Sequence, residues 1–393
     1  MNKPINRSKL FVCAGINRSL ESYAMFVIFI KEKNAMGAVK NVLSADIPVK
    51  IEGPAAWKGA EMVGNSEWIH TLDASDIEEI DRALRAFHAG GLSMGDINPQ
   101  TFPLPSFSNR LKQILSEILE GRGFVLLRGL PVERYGKEDS AIAYLGIGSH
   151  LGGFRSQNAK GHLLGHVRDM GADISQAKTR YYQTNRGLEY HTDSCDIVGL
   201  LCLRTAKAGG ESRIASSVTI YNAMMARRPD LAAQLFHAFP TDRRGEIPEG
   251  MKPWFEVPVF NWYAGYLTTI YSGQYIRSAQ KNFPQARRLT ELETEALEML
   301  DNLTNDPRLN LQMEFRVGDM QFLHNQQILH SRADFEDWPE PERRRHLLRL
   351  WLAPKNARPL PESFAARYGS LEPGNRGGIV VKDTRLTFSL EDL

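Results

Sequence analysis

Apolar residues recur along the chain at two spacings, and the change from one to the other divides the protein. In the first third the spacing is helical. Ser75-x-x-Glu78 reads as a capping box, and Ile77, Ile80, Leu84 and Phe87 follow along one helical face. Gly90-Gly91 is expected to stop that helix. Beyond the proline-bearing loop 99–105, Leu111, Ile114, Leu115, Ile118 and Leu119 form a second amphipathic stripe, closed by Gly121 and Gly123. Phe124-Val-Leu-Leu-Arg128 reads as a buried strand, and Asp139 to Leu145 as another helix.

From Gly152 the pattern shortens. Runs at 163–164, 198–203, 311–315, 320–323 and 346–352 alternate with glycine-rich turns and read as strands. A helical interlude, 218–236, is broken at Pro229, and Thr290-x-x-Glu293 caps one more helix. Residues 240–289 are rich in Pro, Trp and Tyr and read as an insertion between strands. Its aromatic residues are expected mainly to fill core, with 254–275 available as a lid or wall. Ile379-Val-Val381 is the last strand candidate. The pattern predicts a mixed α/β chain with a mainly β core, a sandwich or barrel flanked by helices. Four segments follow: an N-terminal extension at 1–35, with Met36 as a candidate native start; a helical and loop region at 36–107; the β-rich domain at 108–360; and a tail at 361–393.

Composition narrows the function classes. Lys plus Arg number 48 against 46 Asp plus Glu, a formal net charge of +2, so no electrostatic case exists for nucleic acid or an anionic membrane. Cys13, Cys195 and Cys202 are too few and too scattered for a disulfide scaffold or a cysteine zinc site, which points to a reducing, cytoplasmic setting. Apolar runs fall far short of the ~20 residues a membrane span needs. Lys3, Arg7 and Lys9 before Leu10–Ile16 imitate a signal peptide without a convincing cleavage site.

The chemistry centres on Tyr190-His191-Thr192-Asp193-Ser194. In an extended segment His191 and Asp193 point the same way, so an imidazole nitrogen and a carboxylate oxygen can share one metal ion. A second histidine would complete a two-histidine, one-carboxylate face with open positions. His162 and His166 are four apart, but Gly161 and Gly165 argue against the helix such a pair needs. His324 and His330 both remain candidates. In Arg343-Arg-Arg345-His-Leu-Leu-Arg349-Leu-Trp351-Leu, strand spacing puts Arg345, Leu347, Arg349 and Trp351 on one face of a strand covered on both sides. An arginine there needs an anion, and a carboxylate held by two parallel hydrogen bonds suits it; the other reading is an internal salt bridge.

With these residues the chain resembles the TauD/TfdA branch of the Fe(II)/2-oxoglutarate-dependent dioxygenases. The resemblance runs from about Leu111 to Leu352. It rests on 123–129, His191-Thr-Asp193, Gly209-Gly-Glu-Ser212, Gly318-Asp319 with Asn325 and His330, and Arg345 with Arg349. It implies a double-stranded β-helix (jelly roll) with Fe(II) on His191, Asp193 and His330. His324, where an aspartate is common before the asparagine, is then a decoy. It further implies 2-oxoglutarate on the iron, with its distal carboxylate on Arg345 and Ser212, and Arg349 supporting the co-substrate or gripping an acidic substrate. The reaction implied is hydroxylation of a small polar or acidic substrate, with O2 and 2-oxoglutarate converted to succinate and CO2. Asn185 is the favoured substrate contact, with Gln183 and Thr184 near it; Arg277 and Arg332 are further anion candidates, or surface arginines. Two other classes stay open: a jelly-roll metalloenzyme that uses no 2-oxoglutarate, and a non-catalytic β-barrel. Oligomeric state is open.

Overall fold

The computed structural model describes residues 47–172 and 183–391. The expectations for the 1–35 extension and the Met36 start lie outside these residues.

Two sheets carry the architecture. The larger runs β1 (Ile69–Thr71), β2 (Phe124–Arg128), β14 (Met320–His324), β6 (Ile197–Arg204), β17 (His346–Ala353) and β3 (Gly153–Phe154), with β4 (Leu164–Val167) also paired to β17. The smaller runs β13 (Asn310–Met313), β8 (Ser212–Ser216), β15 (Ile328–Arg332) and β5 (Leu188–His191). All these pairings are antiparallel except β1 with β2. Short ribbons pair β7 (Ala208–Gly209) with β16 (Phe335–Glu336), β9 (Ala238–Asp242) with β10 (Trp254–Pro258), and β11 (Phe260–Tyr263) with β12 (Tyr266–Thr269).

Period-two alternation explains how the sheets stack. On β2, Phe124 and Leu126 join a cluster that includes Cys202 and Leu347 from the larger sheet and Ile214, Met313 and Ile328 from the smaller. Val125 and Leu127 face the other way, into a helix-covered core with Leu348, Leu350 and Leu352 of β17. That outer core is closed by α2 (Ala74–Ala89), α3 (Phe107–Glu120) and α4 (Val132–Leu151), which follow the short α1 (Gly59–Val63). The smaller sheet has its own cover. Ala215 and Leu329 point out against α5 (Ser217–Arg227), α6 (Pro229–Gln234) and α8 (Glu291–Thr304), with α7 (Gly273–Asn282) contributing Ile276. By the same alternation the inward positions of β8, β15 and β17 include Ser212, His330, Arg349 and Trp351. No described helix is long and apolar enough to cross a membrane.

Three local expectations need correction. Helix α2 starts at Ala74, because Asp73 is the cap: its carboxylate accepts from Ser75 N and Asp76 N, and Asp76 completes the box in place of Ser75 and Glu78. The helix expected at Asp139–Leu145 is longer and spans Val132–Leu151, interrupted at Gly136, where φ is 68°. Ile379–Val381 is not a strand. Gly377 and Gly378, both at positive φ, turn the chain so that Ile379 is buried against Val198 and Trp351 while Val380 is exposed. The Thr290–Glu293 box and the break at Pro229 are as expected.

Candidate metal centre

His191 ends β5, and His330 lies opposite it at the centre of β15. Strand pairing therefore brings together two histidines separated by 139 positions. Asp193 follows in the loop after β5, and that loop is held from several sides. Asn325 accepts the Asp193 backbone N–H (2.7 Å) and donates its amide to Asp193 O (2.7 Å) and Cys195 O (2.9 Å). Tyr368 also donates to Cys195 O. One step further on, Asp196 forms a fully buried ion pair with Arg376 at 2.7 Å. Ligand atoms of His191, Asp193 and His330 all lie within 4.8 Å of one another. Two imidazole nitrogens and a carboxylate oxygen are a donor set that suits Fe(II).

Protonation states match that use. The His191 Nδ1–H donates to Glu189 O (2.8 Å), which leaves the Nε2 lone pair turned to the site. Burial, then the neighbouring His330, pushes His191 down to about 4, so it is neutral at physiological pH. Burial alone would raise the Asp193 carboxyl, but Arg349, His330 and His191 outweigh it and hold it well below the usual carboxylate range. Arg349 Nη1 lies 3.5 Å from Asp193 Oδ2, and the Trp351 indole donates to the same oxygen at 3.0 Å. Gln157 fixes Arg349 in turn, accepting from its Nε at 2.7 Å.

His191, Asp193, Arg349 and Trp351 line a cavity of about 500 Å³, which Gln157, Arg244 and Phe255 also wall. Ser212 and Arg345 are not among its lining residues. Ser212 lies opposite Arg332 in the β8–β15 register and exchanges hydrogen bonds with the Gln321 amide at 3.1 and 3.2 Å. The guanidiniums of Arg332 and Arg345 sit 4.8 and 5.1 Å from the centre of the same Phe335 ring. Arg345 is buried and its Nη1 has no hydrogen-bond partner. A Cβ at Gly210 would come within 3.0 Å of Arg345 Nε, so the glycine keeps that guanidinium's surroundings open. A buried cation with an unused donor, near an inward serine, fits a carboxylate.

Other expected residues fall elsewhere. Asn185 is exposed, offers its carbonyl to Phe335 N, and does not line the cavity; the turn before β5 carries it outward. Gln183 does line it. His324 is fully buried at the end of β14, faces Arg358 (3.1 Å), and is not in the metal cluster. His166 lies on β4, hydrogen-bonded to His346 (2.8 Å). Arg277 pairs with Glu189 and Asp301. Of the aromatic insertion, Phe255, Tyr271 and Tyr275 wall the cavity, while Trp254 stacks on Phe283 and Tyr263 is exposed. Trp351 and Gln157 join the site without being expected from the sequence: Trp351 has a signal in the strand face it shares with Arg349, and Gln157 has none.

The description "Taurine catabolism dioxygenase TauD, TfdA family" matches residues 76–351. FR-33289 synthase of Streptomyces rubellomurinus is 31% identical over 329 residues, covering 81% of this chain and 95% of that protein. Taurine hydroxylase-like protein SAT17 of Stachybotrys chartarum is 33% identical, covering 77% and 79%. Among solved structures, asparagine oxygenase with Fe(II), hydroxyasparagine and succinate aligns with a TM-score of 0.57 at 16% identity, over 73% of this chain and 93% of that one. The protein thus belongs to the TauD/TfdA family and is a non-haem Fe(II)- and 2-oxoglutarate-dependent dioxygenase.

Proposed function

We propose that the protein hydroxylates a small organic substrate in the 500 Å³ cavity, with 2-oxoglutarate and O2 converted to succinate and CO2. The observation that carries this reading is the His191–Asp193–His330 cluster, two of whose members, His191 and Asp193, line the cavity. Bound iron with 2-oxoglutarate supplies the oxidising power for C–H hydroxylation. The chain's residues bind, orient and exclude water. His191 offers a neutral imidazole nitrogen, His330 a second ring nitrogen, and Asp193 an ionised carboxylate whose second oxygen is occupied by Trp351. Arg349 keeps that carboxylate ionised and supports the co-substrate beside it. Arg345 and Ser212 take the distal carboxylate, a role supported by the unused Arg345 Nη1. The two stacked antiparallel sheets with helices outside support a double-stranded β-helix spanning about 108–360. The β1–β2 pairing and the burial of Arg376 and Ile379 support joining the described parts of the flanking segments, 47–107 and 361–391, to the same body.

Anaerobic addition of Fe(II) and 2-oxoglutarate should produce a weak visible charge-transfer band, and aerobic incubation iron-dependent succinate. Protein showing neither would end the reading in favour of a metalloenzyme without 2-oxoglutarate or a binding protein.

A further inference from the structure

The strand that brings His191 to the metal is the last of the smaller sheet. On one side it pairs with β15. Among the described residues no strand pairs with its other side; there His191 forms an isolated antiparallel bridge with Ser272, in the aromatic insertion. The chain from Ile270 to Ile276 also walls the cavity. One stretch of the insertion is thus both cavity wall and neighbour of the ligand strand.

Thr192 makes the join. In an extended segment the residue between two ligands faces away from them, and Thr192 is buried with three contacts to Tyr271. Its N–H donates to Tyr271 O (2.8 Å), its hydroxyl oxygen accepts the Tyr271 N–H (2.9 Å), and the hydroxyl proton faces Tyr271 O at 3.4 Å. Tyr271 is itself fixed, because its own hydroxyl donates to Asp301 on α8 at 2.6 Å. Asp301 pairs with Arg277 of α7 (3.3 Å), Arg277 pairs with Glu189, and Glu189 O accepts the His191 Nδ1–H. The circuit leaves His191 on one side, passes through α7 and α8, and returns to the residue that follows it. A Cβ at Gly273 would clash with the Tyr271 hydroxyl and lie 2.9 Å from Arg277 Nη1, so the glycine leaves room for both side chains.

We infer that Thr192 is a positioning residue for His191 and Asp193, and that the cavity wall at Tyr271 sets, together with the sheets, where these two ligands stand. Asn325 grips the Asp193 peptide from one side; Thr192 grips the same loop from the other, one residue nearer His191. Removing its hydroxyl leaves the Tyr271 N–H buried without an acceptor and parts the loop from the wall. Partners that orient metal ligands in this way govern metal affinity by about 10–100-fold. The inference rests on the dioxygenase reading for the identity of the metal.

The test uses the full chain. Anaerobic calorimetric titration with Fe(II) gives the affinity, Fe(II) with 2-oxoglutarate gives the charge-transfer band, and melting of the metal-free protein reports the fold. Thr192→Val keeps the shape and the backbone N–H but loses the hydroxyl; it should weaken iron about tenfold or more and shift or weaken the band. Thr192→Ser, which keeps the hydroxyl, should hold affinity and band near those of the parent. Thr219 is the control: it is buried and its hydroxyl donates to Trp57 O, away from the metal ligands, so Thr219→Val should melt lower and bind iron as the parent does. Tyr271→Phe releases the wall from Asp301 and keeps ring and backbone; it should weaken iron in the same direction, and it decides the matter if Thr192→Val does not fold. The inference is overturned by parental affinity and band in Thr192→Val, by parental affinity in Tyr271→Phe, by a loss in Thr192→Ser as large as in Thr192→Val, or by an equal loss in Thr219→Val. A parent that takes up no iron ends the dioxygenase reading and the inference with it, whereas those variant results end the inference alone.

Discussion

Trp351 donates its indole N–H to Asp193 Oδ2 at 3.0 Å, on the side of the carboxylate that also meets Arg349. Trp351→Phe removes that donor and keeps an aromatic ring in a site only 3% exposed. A hydrogen bond to a charged group contributes about 1.5–3 kcal/mol. Part of this stabilises the fold with or without metal; the part that matters for binding is orientation. With Trp351 in place, Oδ2 is engaged and Oδ1, 4.0 Å from His191 Nε2, is left for the ion. Without it the carboxylate turns more freely, and loss of such an orienting partner typically lowers metal affinity 10–100-fold, about 1.4–2.8 kcal/mol. Anaerobic calorimetric titration with Fe(II) measures the affinity, and melting of the metal-free protein measures the fold. Trp57 is the control: it is equally buried and donates to Arg122 O, away from the metal ligands, so Trp57→Phe should lower the melting temperature and leave iron affinity unchanged. Parental iron affinity in Trp351→Phe, or an equal loss in both variants, would refute the orienting role.

Asp193→Ala should abolish iron-dependent succinate formation and reduce metal uptake to background in equilibrium dialysis; retained turnover would remove Asp193 from the ligand set. Arg345→Ala should raise the 2-oxoglutarate requirement by roughly 10–150-fold, the equivalent of one charged hydrogen bond, with iron affinity unaltered; an unchanged requirement would shift that role to Arg349. The metal-free protein should lose stability as pH falls below 6.5. Burial, then His166, pushes His346 down to about 2, as burial and His330 push His191 down to about 4. Between those values and 6.5 the unfolded chain takes up protons that the folded chain does not. Each histidine should therefore contribute a loss of about 1.4 kcal/mol per pH unit. Denaturant midpoints measured from pH 7 to 5 check this, and His346→Phe should flatten the slope.

Much of the fold was legible because its signals are local. A capping box, a stripe on one helical face or an apolar run announces itself within a dozen residues. The errors are local too. Asp73 and Ser75 both offer a cap two residues apart, and the winner is the one whose carboxylate reaches two backbone N–H groups. Ile379-Val-Val381 has strand composition, yet Gly377-Gly378 ahead of it turns the segment across the Ser194–Asp196 loop: Gly378 donates to Ser194 O. The β branching there serves burial of one residue rather than pairing of three.

At the site, the residues that could be read share a rule with a short period. His191 and Asp193 are two apart in an extended segment, and Arg349 and Trp351 two apart on a strand. Strand pairing then carries His330 to His191. What sets the site's electrostatics obeys no such rule. Gln157 orients Arg349 across 192 positions, and Arg376 neutralises Asp196 across 180. Each of these contacts exists because two sheets and a C-terminal strap enclose the same loop, and enclosure is also what makes the contacts matter. In water, Arg349 beside Asp193 would barely move the carboxyl; buried, it acts with His330 and His191 to outweigh desolvation and keep the carboxylate ionised. The metal-binding pattern belongs to the sequence, whereas its readiness to bind metal at neutral pH belongs to the packing around it. Changes at Gln157 or Arg376, distant in sequence from the His191–Asp193–His330 cluster, should therefore alter metal binding, the first through Arg349 beside Asp193 and the second through the loop that carries it.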